Sequence, residues 1–264
     1  MNTVIFIPAR FASTRFPGKP LAELTGASGQ KKSLIRRSWD AARSVNGVSG
    51  VYVLTDDDRI AEAAQAFGAD VLMTSSEARN GTERCAEAVG LLSEEPDLVV
   101  NLQGDAPLTP PHFVDALIAE MTAAPEVVMA TPVLATEPEH LASLQADRAA
   151  GRVGATTAVF GHSRDALYFS KEILPFAQGL SPEEQPVYHH VGCYAYRPAS
   201  LAQYGAWNPG PLEMREGLEQ LRFLENGVPV RCVEVEARGR AFWELNNPSD
   251  IEVLEGIMQR EGIE

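Results

Sequence analysis

Short apolar runs alternate with amphipathic stretches along the first half of the chain, and turn residues separate them. Residues 3–8 (TVIFIP) form an apolar run that stops at Pro8, the pattern of a buried strand. Leu34, Ile35, Trp39 and Ala42 recur at helical spacing and predict a helix over 33–45. A second strand is expected at 50–55. Asp56, Asp57 and Asp58 follow it, carboxylates suited to a helix start, and that helix should run to Phe67 and close at Gly68. Further elements are a strand at 69–73, a helix at 82–92, a buried strand at 98–103, a helix at 110–123 with proline in its first turn, and a strand at 127–134. This βα alternation implies an α/β fold with a mostly parallel sheet flanked by helices.

Beyond residue 135 the texture changes. Residues 136–152 are rich in Ala, Glu and Asp and read as a loosely attached helix. Strands are expected at 153–160, 166–170 and 191–197, with long connections, as in a second, smaller lobe. A helix over 213–226 closed by Gly227, a strand at 230–235 and a last helix at 248–260 complete the pattern.

Composition adds limits. The 264 residues carry a net charge of -14, which argues against nucleic acid or an anionic membrane as partner. No apolar run reaches the length needed to span a bilayer, and no signal-peptide pattern opens the chain, so a cytoplasmic setting is expected. Cys85, Cys193 and Cys232 are widely spaced and lack metal-site patterns, as expected of buried small hydrophobes.

Against that negative background the loop after the first strand stands out. Arg10, Arg15 and Lys19, with Ser13, Thr14 and Gly18, follow directly from Pro8. Open α/β sheets bind ligands at the carboxyl ends of their strands, and three cations there suit a polyphosphate better than they suit an ordinary surface loop. The loop is not a Walker motif. In Asn101-Leu102-Gln103-Gly104-Asp105-Ala106-Pro107, Asp105 falls just past a buried strand. It is either a turn residue or a ligand for Mg²⁺, which takes one or two carboxylates plus substrate phosphates. Asn80-Gly81-Thr82-Glu83-Arg84 reads either as a helix start with Thr82 as cap or as a contact for a base or ribose. His189 and His190 are adjacent on a strand and face opposite sides, so joint metal ligation is not expected. Glu213, Glu216 and Gln220 share one face of the expected helix, either a solvated face or a set of acceptors for a polyhydroxy ligand. Hydrolase, zinc-peptidase and dinucleotide motifs are absent.

Taken together, these segments resemble the 3-deoxy-manno-octulosonate cytidylyltransferases, the CMP-Kdo synthetases. Residues 7–21 read IPARFASTRFPGKPL against the family's IPAR-[FY]-x-ST-R-[FL]-PGKPL. The family's GTER falls at 81–84 and its N-x-QGDxP at 101–107. ALYFSK at 166–171, H-x-G-x-Y-x-YR at 190–197 and the PLE…LEQLR segment at 211–222 follow in order. The resemblance implies a nucleotide-diphospho-sugar transferase-like fold, with a CTP-binding core at 1–135, a sugar-binding and dimer lobe at 136–235 and a segment returning to the core at 236–264. It implies transfer of CMP from CTP to a 3-deoxy-2-ulosonic acid with release of pyrophosphate, in a homodimer serving lipopolysaccharide or another glycan.

By position, the same resemblance assigns Lys19, Arg10 and Asp105 to catalysis. Ala9, Arg10, Ser13, Arg15, Lys19, Gly81, Thr82, Arg84 and Gln103 would bind CTP. Gln103, His190, Tyr194, Glu213, Glu216 and Gln220 would face the sugar acid, and Asp105 with position 246 would bind Mg²⁺. This chain departs from the family at several places. Asn246 stands where the family has a second metal-binding Asp, a deficit that Glu244 or the substrate carboxylate would have to make up. Ala106 replaces a glutamate, His189 an arginine, and residues 151–158 lack the family's lysine. A different acidic acceptor, or CTP binding without turnover, are the competing expectations.

Overall fold

The computed structural model describes residues 1–13, 15–153, 155–176, 186–241 and 243–264. Thr14 of the cationic loop and Gly154, inside the strand expected at 153–160, lie outside the described residues. In chain order the elements are β1 (Thr3–Pro8), β2 (Glu23–Thr25), β3 (Lys31–Ser33), α1 (Leu34–Arg43), β4 (Gly50–Thr55), α2 (Asp58–Ala66), β5 (Asp70–Met73), α3 (Gly81–Val89), β6 (Leu98–Leu102), α4 (Pro111–Ala123) and β7 (Met129–Ala135). They continue with α5 (Pro138–Ala149), β8 (Thr157–Phe160), β9 (Ala166–Ser170), β10 (Tyr188–His190), β11 (Cys193–Tyr196), α6 (Pro198–Ala206), α7 (Pro211–Glu216), α8 (Leu221–Glu225), β12 (Arg231–Glu234) and α9 (Asp250–Glu261). The fold is α/β, with mostly parallel β-structure flanked by helices. It divides into two compact units, residues 1–115, 196–205 and 237–264 in one and 116–195 and 206–236 in the other.

In the first unit, β5, β4, β1 and β6 lie side by side and parallel. β6 and the central strand β1 are almost wholly buried, which is why both read as continuous apolar runs rather than as alternation. Helices α1 and α3 pack on β1, and α2 packs on β4 and β5. A separate apolar cluster of Leu24, Leu34, Leu108, Leu245, Leu254, Ile257 and Met258 joins β2, α1 and α9. Leu245, from the segment before α9, is wholly buried in it. The antiparallel pair β2–β3 was not anticipated, because each strand has three residues and β3 reads KKS, with no apolar signal. Trp39, expected among the core positions of α1, is half-buried beneath Arg36 and Arg43, while Arg37 turns inward and donates to the Leu24 carbonyl at 2.6 Å.

In the second unit the strand order is β11, β7, β10, β8, β9, with β12 parallel to β7 and β10 antiparallel to both β7 and β8. Two expectations are corrected here. The strand expected over 191–197 is the shorter β11, and a strand that was not expected, β10, precedes it, with Val191 and Gly192 between the two. The helix over 213–226 is broken, because Gly217 adopts a left-handed conformation (φ 63°) and closes α7 before α8 begins. Glu213, Glu216 and Gln220 therefore do not share one continuous helix face.

Candidate active site

The first unit brings the sequence's cationic loop and its QGD segment to one edge. Pro8 ends β1, and Ala9 N–H continues the ladder by donating to the Leu54 carbonyl at 2.8 Å. The chain then folds on itself. The Phe11 carbonyl accepts from both Ser13 and Gly18 N–H at 2.9 Å. Gly18 is left-handed (φ 71°), and a Cβ there would sit 3.0 Å from the Phe11 ring, so glycine suits the position on both counts. Ser13 Oγ accepts from Phe16 N–H at 3.4 Å, and the Arg59 guanidinium covers the Phe11 ring at 3.3 Å. Arg10 and Arg15 project to solvent from this ring of backbone. Lys19 opens a short 3₁₀ turn and reaches Asp105, Nζ to Oδ2 at 2.7 Å.

Gly104 explains how Asp105 arrives there. A Cβ at 104 would lie 2.7 Å from the Pro8 carbonyl oxygen, so β1 and the turn after β6 approach as closely as backbones can. Ser38 Oγ–H holds the Gly104 carbonyl at 3.1 Å. Asp105 itself is held from the other side, its carbonyl accepting from Leu245 N–H at 2.9 Å.

Gly81, the first residue of α3, also needs its small size. A Cβ there would be 3.1 Å from Gln103 Nε2, 3.4 Å from Pro8 Cγ and 3.5 Å from Asn101 Nδ2. The helix start, Pro8 and two amide side chains thus converge. Asn80, not Thr82, caps α3, accepting from Glu83 N–H at 2.8 Å. Thr82 lies inside the helix with its hydroxyl 2.9 Å from that of Tyr196. Arg84 is buried, ion-paired to Asp56 at 3.1 Å and hydrogen-bonded to Thr74 Oγ1. Asn101 carries no role in the sequence reading, yet it is 0% exposed and neither of its side-chain amide atoms has a hydrogen-bond partner among the described residues. Its signal in the sequence is a lone amide inside an otherwise apolar run.

Around Asp105 the charges are dense. Glu244 and Asn246 flank Leu245, which is anchored by its N–H to the Asp105 carbonyl. Asn246 Nδ2–H donates to Glu244 Oε2 at 3.4 Å, and Arg15 donates to Asn246 Oδ1 at 3.4 Å. Burial first, and then repulsion by Asp105, push the Glu244 carboxyl up to about 7, against the pull of Asn246, Lys19 and Arg15. Oxygen donors from two carboxylates and one carboxamide suit a hard divalent cation such as Mg²⁺. Among the described residues there is no group of three or more His, Cys, Asp or Glu that would hold a metal without help from substrate.

The second unit holds the residues expected to face the sugar. His190 Nε2 lies 2.9 Å from Thr131 Oγ1, and its ring is 5.5 Å from that of Tyr194. Tyr194 O–H donates to Gln220 Oε1 at 3.2 Å, while Gln220 Nε2 is buried without a partner among the described residues. Glu216 accepts from Ser170 Oγ–H at 2.7 Å and Lys171 N–H at 3.0 Å. Glu213 is locked to wholly buried Arg222 by two bonds of 2.6 Å. With both its oxygens held by a guanidinium, Glu213 acts first as the counter-ion that makes a buried arginine tolerable.

Burial lowers the His190 pKa to about 3, with help from His189, and lowers that of His189 to about 4, with help from His140. Both imidazoles are thus neutral in the folded chain and take up protons on unfolding at pH values below 6.5. Stability is full above that value and is lost as pH falls toward 4. His190→Asn keeps a polar atom for Thr131 and is expected to lower stability at pH 7 while flattening the dependence between pH 6.5 and 4. Urea unfolding across that range measures it, and an unchanged slope would assign the acid sensitivity elsewhere.

A cytidylyltransferase family model matches residues 4–235. A 3-deoxy-manno-octulosonate cytidylyltransferase of Maricaulis maris is 45% identical over 263 residues, 99% of either chain. An 8-amino-3,8-dideoxy-manno-octulosonate cytidylyltransferase of Shewanella woodyi is 39% identical, over 97% of this chain and 98% of its own. A solved CMP:2-keto-3-deoxy-manno-octonic acid synthetase complexed with CTP superimposes with a TM-score of 0.84 at 33% identity, over 99% of this chain and 100% of that one. The fold is that of a nucleotidyltransferase. The chain belongs to the 3-deoxy-manno-octulosonate cytidylyltransferase family. No described helix is long and apolar enough to cross a membrane.

Proposed function

We propose that this chain transfers CMP from CTP to a 3-deoxy-2-ulosonic acid, 3-deoxy-manno-octulosonate or its 8-amino relative, and releases pyrophosphate. The observation that carries the reading is the pairing of Lys19 with Asp105 at the carboxyl end of β1, beside a cationic loop. In the reaction the anomeric hydroxyl oxygen bonds to the α-phosphorus, the bond to pyrophosphate breaks in line, and the hydroxyl proton leaves. The protein's work is positioning and neutralisation of charge. Arg10 and Arg15, both exposed, are available to the phosphates, and Lys19 would exchange Asp105 for the departing phosphoryl oxygens. Ala9, Ser13, Gly81, Thr82, Arg84 and Gln103 would shape the nucleotide pocket, with Thr82 and Arg84 acting through the side chains they hold. His190, Tyr194, Glu216 and the Nε2 of Gln220 would meet the sugar acid, with Glu213 behind them. Mg²⁺, held by Asp105, would supply Lewis-acid neutralisation of the triphosphate.

A homodimer in the cytoplasm fits this reading. The exposed apolar side chains Leu167, Phe176 and Met214 of the second unit support the dimer, and sedimentation tests it. The acceptor is tested by following pyrophosphate release from CTP and Mg²⁺ with each of the two ulosonic acids. Turnover with either acid is expected, and CTP binding without release from either would replace the enzyme by a nucleotide-binding protein. The relative that acts on an 8-amino sugar, together with His189 and Asn246 at departing positions, favours including the amino sugar in that comparison.

A further inference from the structure

We infer that Glu244 supplies the second carboxylate of the magnesium site, replacing the charge that Asn246 cannot bring. The inference rests on the cytidylyltransferase reading and assigns a new residue within it. Three placements carry it. Leu245 is wholly buried in the cluster with Leu24, Leu34 and α9, and its N–H is fastened to the Asp105 carbonyl at 2.9 Å. That anchor fixes the residues on either side of it, and the hydrogen bond from Asn246 Nδ2–H to Glu244 Oε2 at 3.4 Å puts their side chains on one side of Leu245. Glu244 lies within electrostatic reach of Asp105, Lys19 and Arg15 and within 3.4 Å of Asn246 Nδ2.

The second placement concerns Asn246. Its one carboxamide oxygen, the only atom there able to hold a cation, already accepts from the Arg15 guanidinium at 3.4 Å. A metal bound at that oxygen would have a guanidinium for a neighbour, whereas the Asn246 amino group faces Glu244 and helps to orient it.

The third is the charge pattern. Asp105 has one oxygen on Lys19, and the cation is expected to move to phosphate when CTP arrives. That movement leaves Asp105 and Glu244 as two carboxylates without a cation between them, a pair that a divalent ion stabilises and that a single lysine does not balance. Both are hard oxygen donors, and Mg²⁺ takes one or two of them with phosphates in the remaining positions. The negative charge that the family carries at 246 is thus moved two residues back, onto the side chain that Asn246 touches.

The test is Mn²⁺ uptake, read from the loss of the free-ion electron paramagnetic resonance signal, in protein with and without CTP. Glu244→Gln is expected to weaken Mn²⁺ uptake by about tenfold or more, with CTP affinity in chelator and the thermal midpoint little changed. Asn246→Ala should change uptake less than threefold by the same measure. Glu244→Gln with Asn246→Asp should recover most of the loss, since it returns a carboxylate to the same side. Uptake by Glu244→Gln equal to that of the unaltered chain, in a protein that still binds CTP, overturns the assignment of Glu244 alone. An Asn246→Ala loss as large as that of Glu244→Gln overturns it too. An unaltered chain that binds Mn²⁺ through Glu244 but no CTP would instead overturn the functional reading.

Discussion

Lys19→Met is expected to slow CMP transfer by about 10²–10³-fold while leaving the unfolding midpoint nearly in place. The separation follows from where Lys19 sits. Its stem lies in the short turn that starts at residue 19, and methionine keeps most of that packing. Its ammonium pairs with Asp105 at 2.7 Å, but the two side chains are 15% and 28% exposed, and a pair this open to water is worth about 1 kcal/mol or less. The same ammonium on a departing pyrophosphate acts on charge that grows only in the transition state, so its loss falls on kcat more than on KM. Rate measurements at saturating CTP, with thermal unfolding of the same samples, check both halves. A variant with the unaltered rate would remove Lys19 from the reaction and leave the pair with Asp105 as a surface contact.

Much of this site was legible in the sequence because its parts are local. The loop from Arg10 to Lys19 follows a buried strand directly, and Gly104 and Asp105 follow another. The rule that ligands meet an open sheet at strand ends needs only those two facts. That the two segments touch, 86 residues apart, does not follow from spacing. It requires the parallel registry of β1 with β6 and a backbone contact tight enough to exclude a Cβ at 104. Where local rules failed, two satisfactory local answers competed. Asn80 and Thr82 both suit a helix cap; Asn80 takes it by accepting from Glu83 N–H, and the Thr82 hydroxyl meets instead that of Tyr196, 114 residues away. The apolar periodicity of 213–226 runs across Gly217 without a mark, because a left-handed glycine leaves the pattern of its neighbours intact. Glu213 looked like a free acceptor since its partner Arg222 lies nine residues on, beyond the range of helical pairing. The β2–β3 pair had no apolar signal to read, and the isolation of the Asn101 amide depends on what fails to surround it.

Asp105→Asn is the second large effect, a loss of about 10³-fold in kcat/KM at the Mg²⁺ concentration that serves the unaltered chain. The exchange is nearly isosteric. The main-chain contact with Leu245 and the tight approach of Gly104 to Pro8 involve no atom of the altered side chain, so the segment stays where it is. What changes is charge. The carboxamide offers the metal one neutral oxygen in place of a carboxylate, and it releases Lys19 from its resting partner. Freed of that competition, Lys19 holds the triphosphate at least as well as before, so CTP binding in chelator should survive while metal-dependent turnover collapses. Added Mg²⁺ should recover only part of the rate, because filling the site restores occupancy without restoring the charge that fixes the metal against the phosphates. Pyrophosphate release measured over a Mg²⁺ series separates the two losses, and a full rate at ordinary Mg²⁺ would take Asp105 out of the metal site. Combined with Lys19→Met, the change should cost little more than either alone. Both groups steady the same triphosphate, and side chains that act as a unit on one reacting centre do not contribute independently.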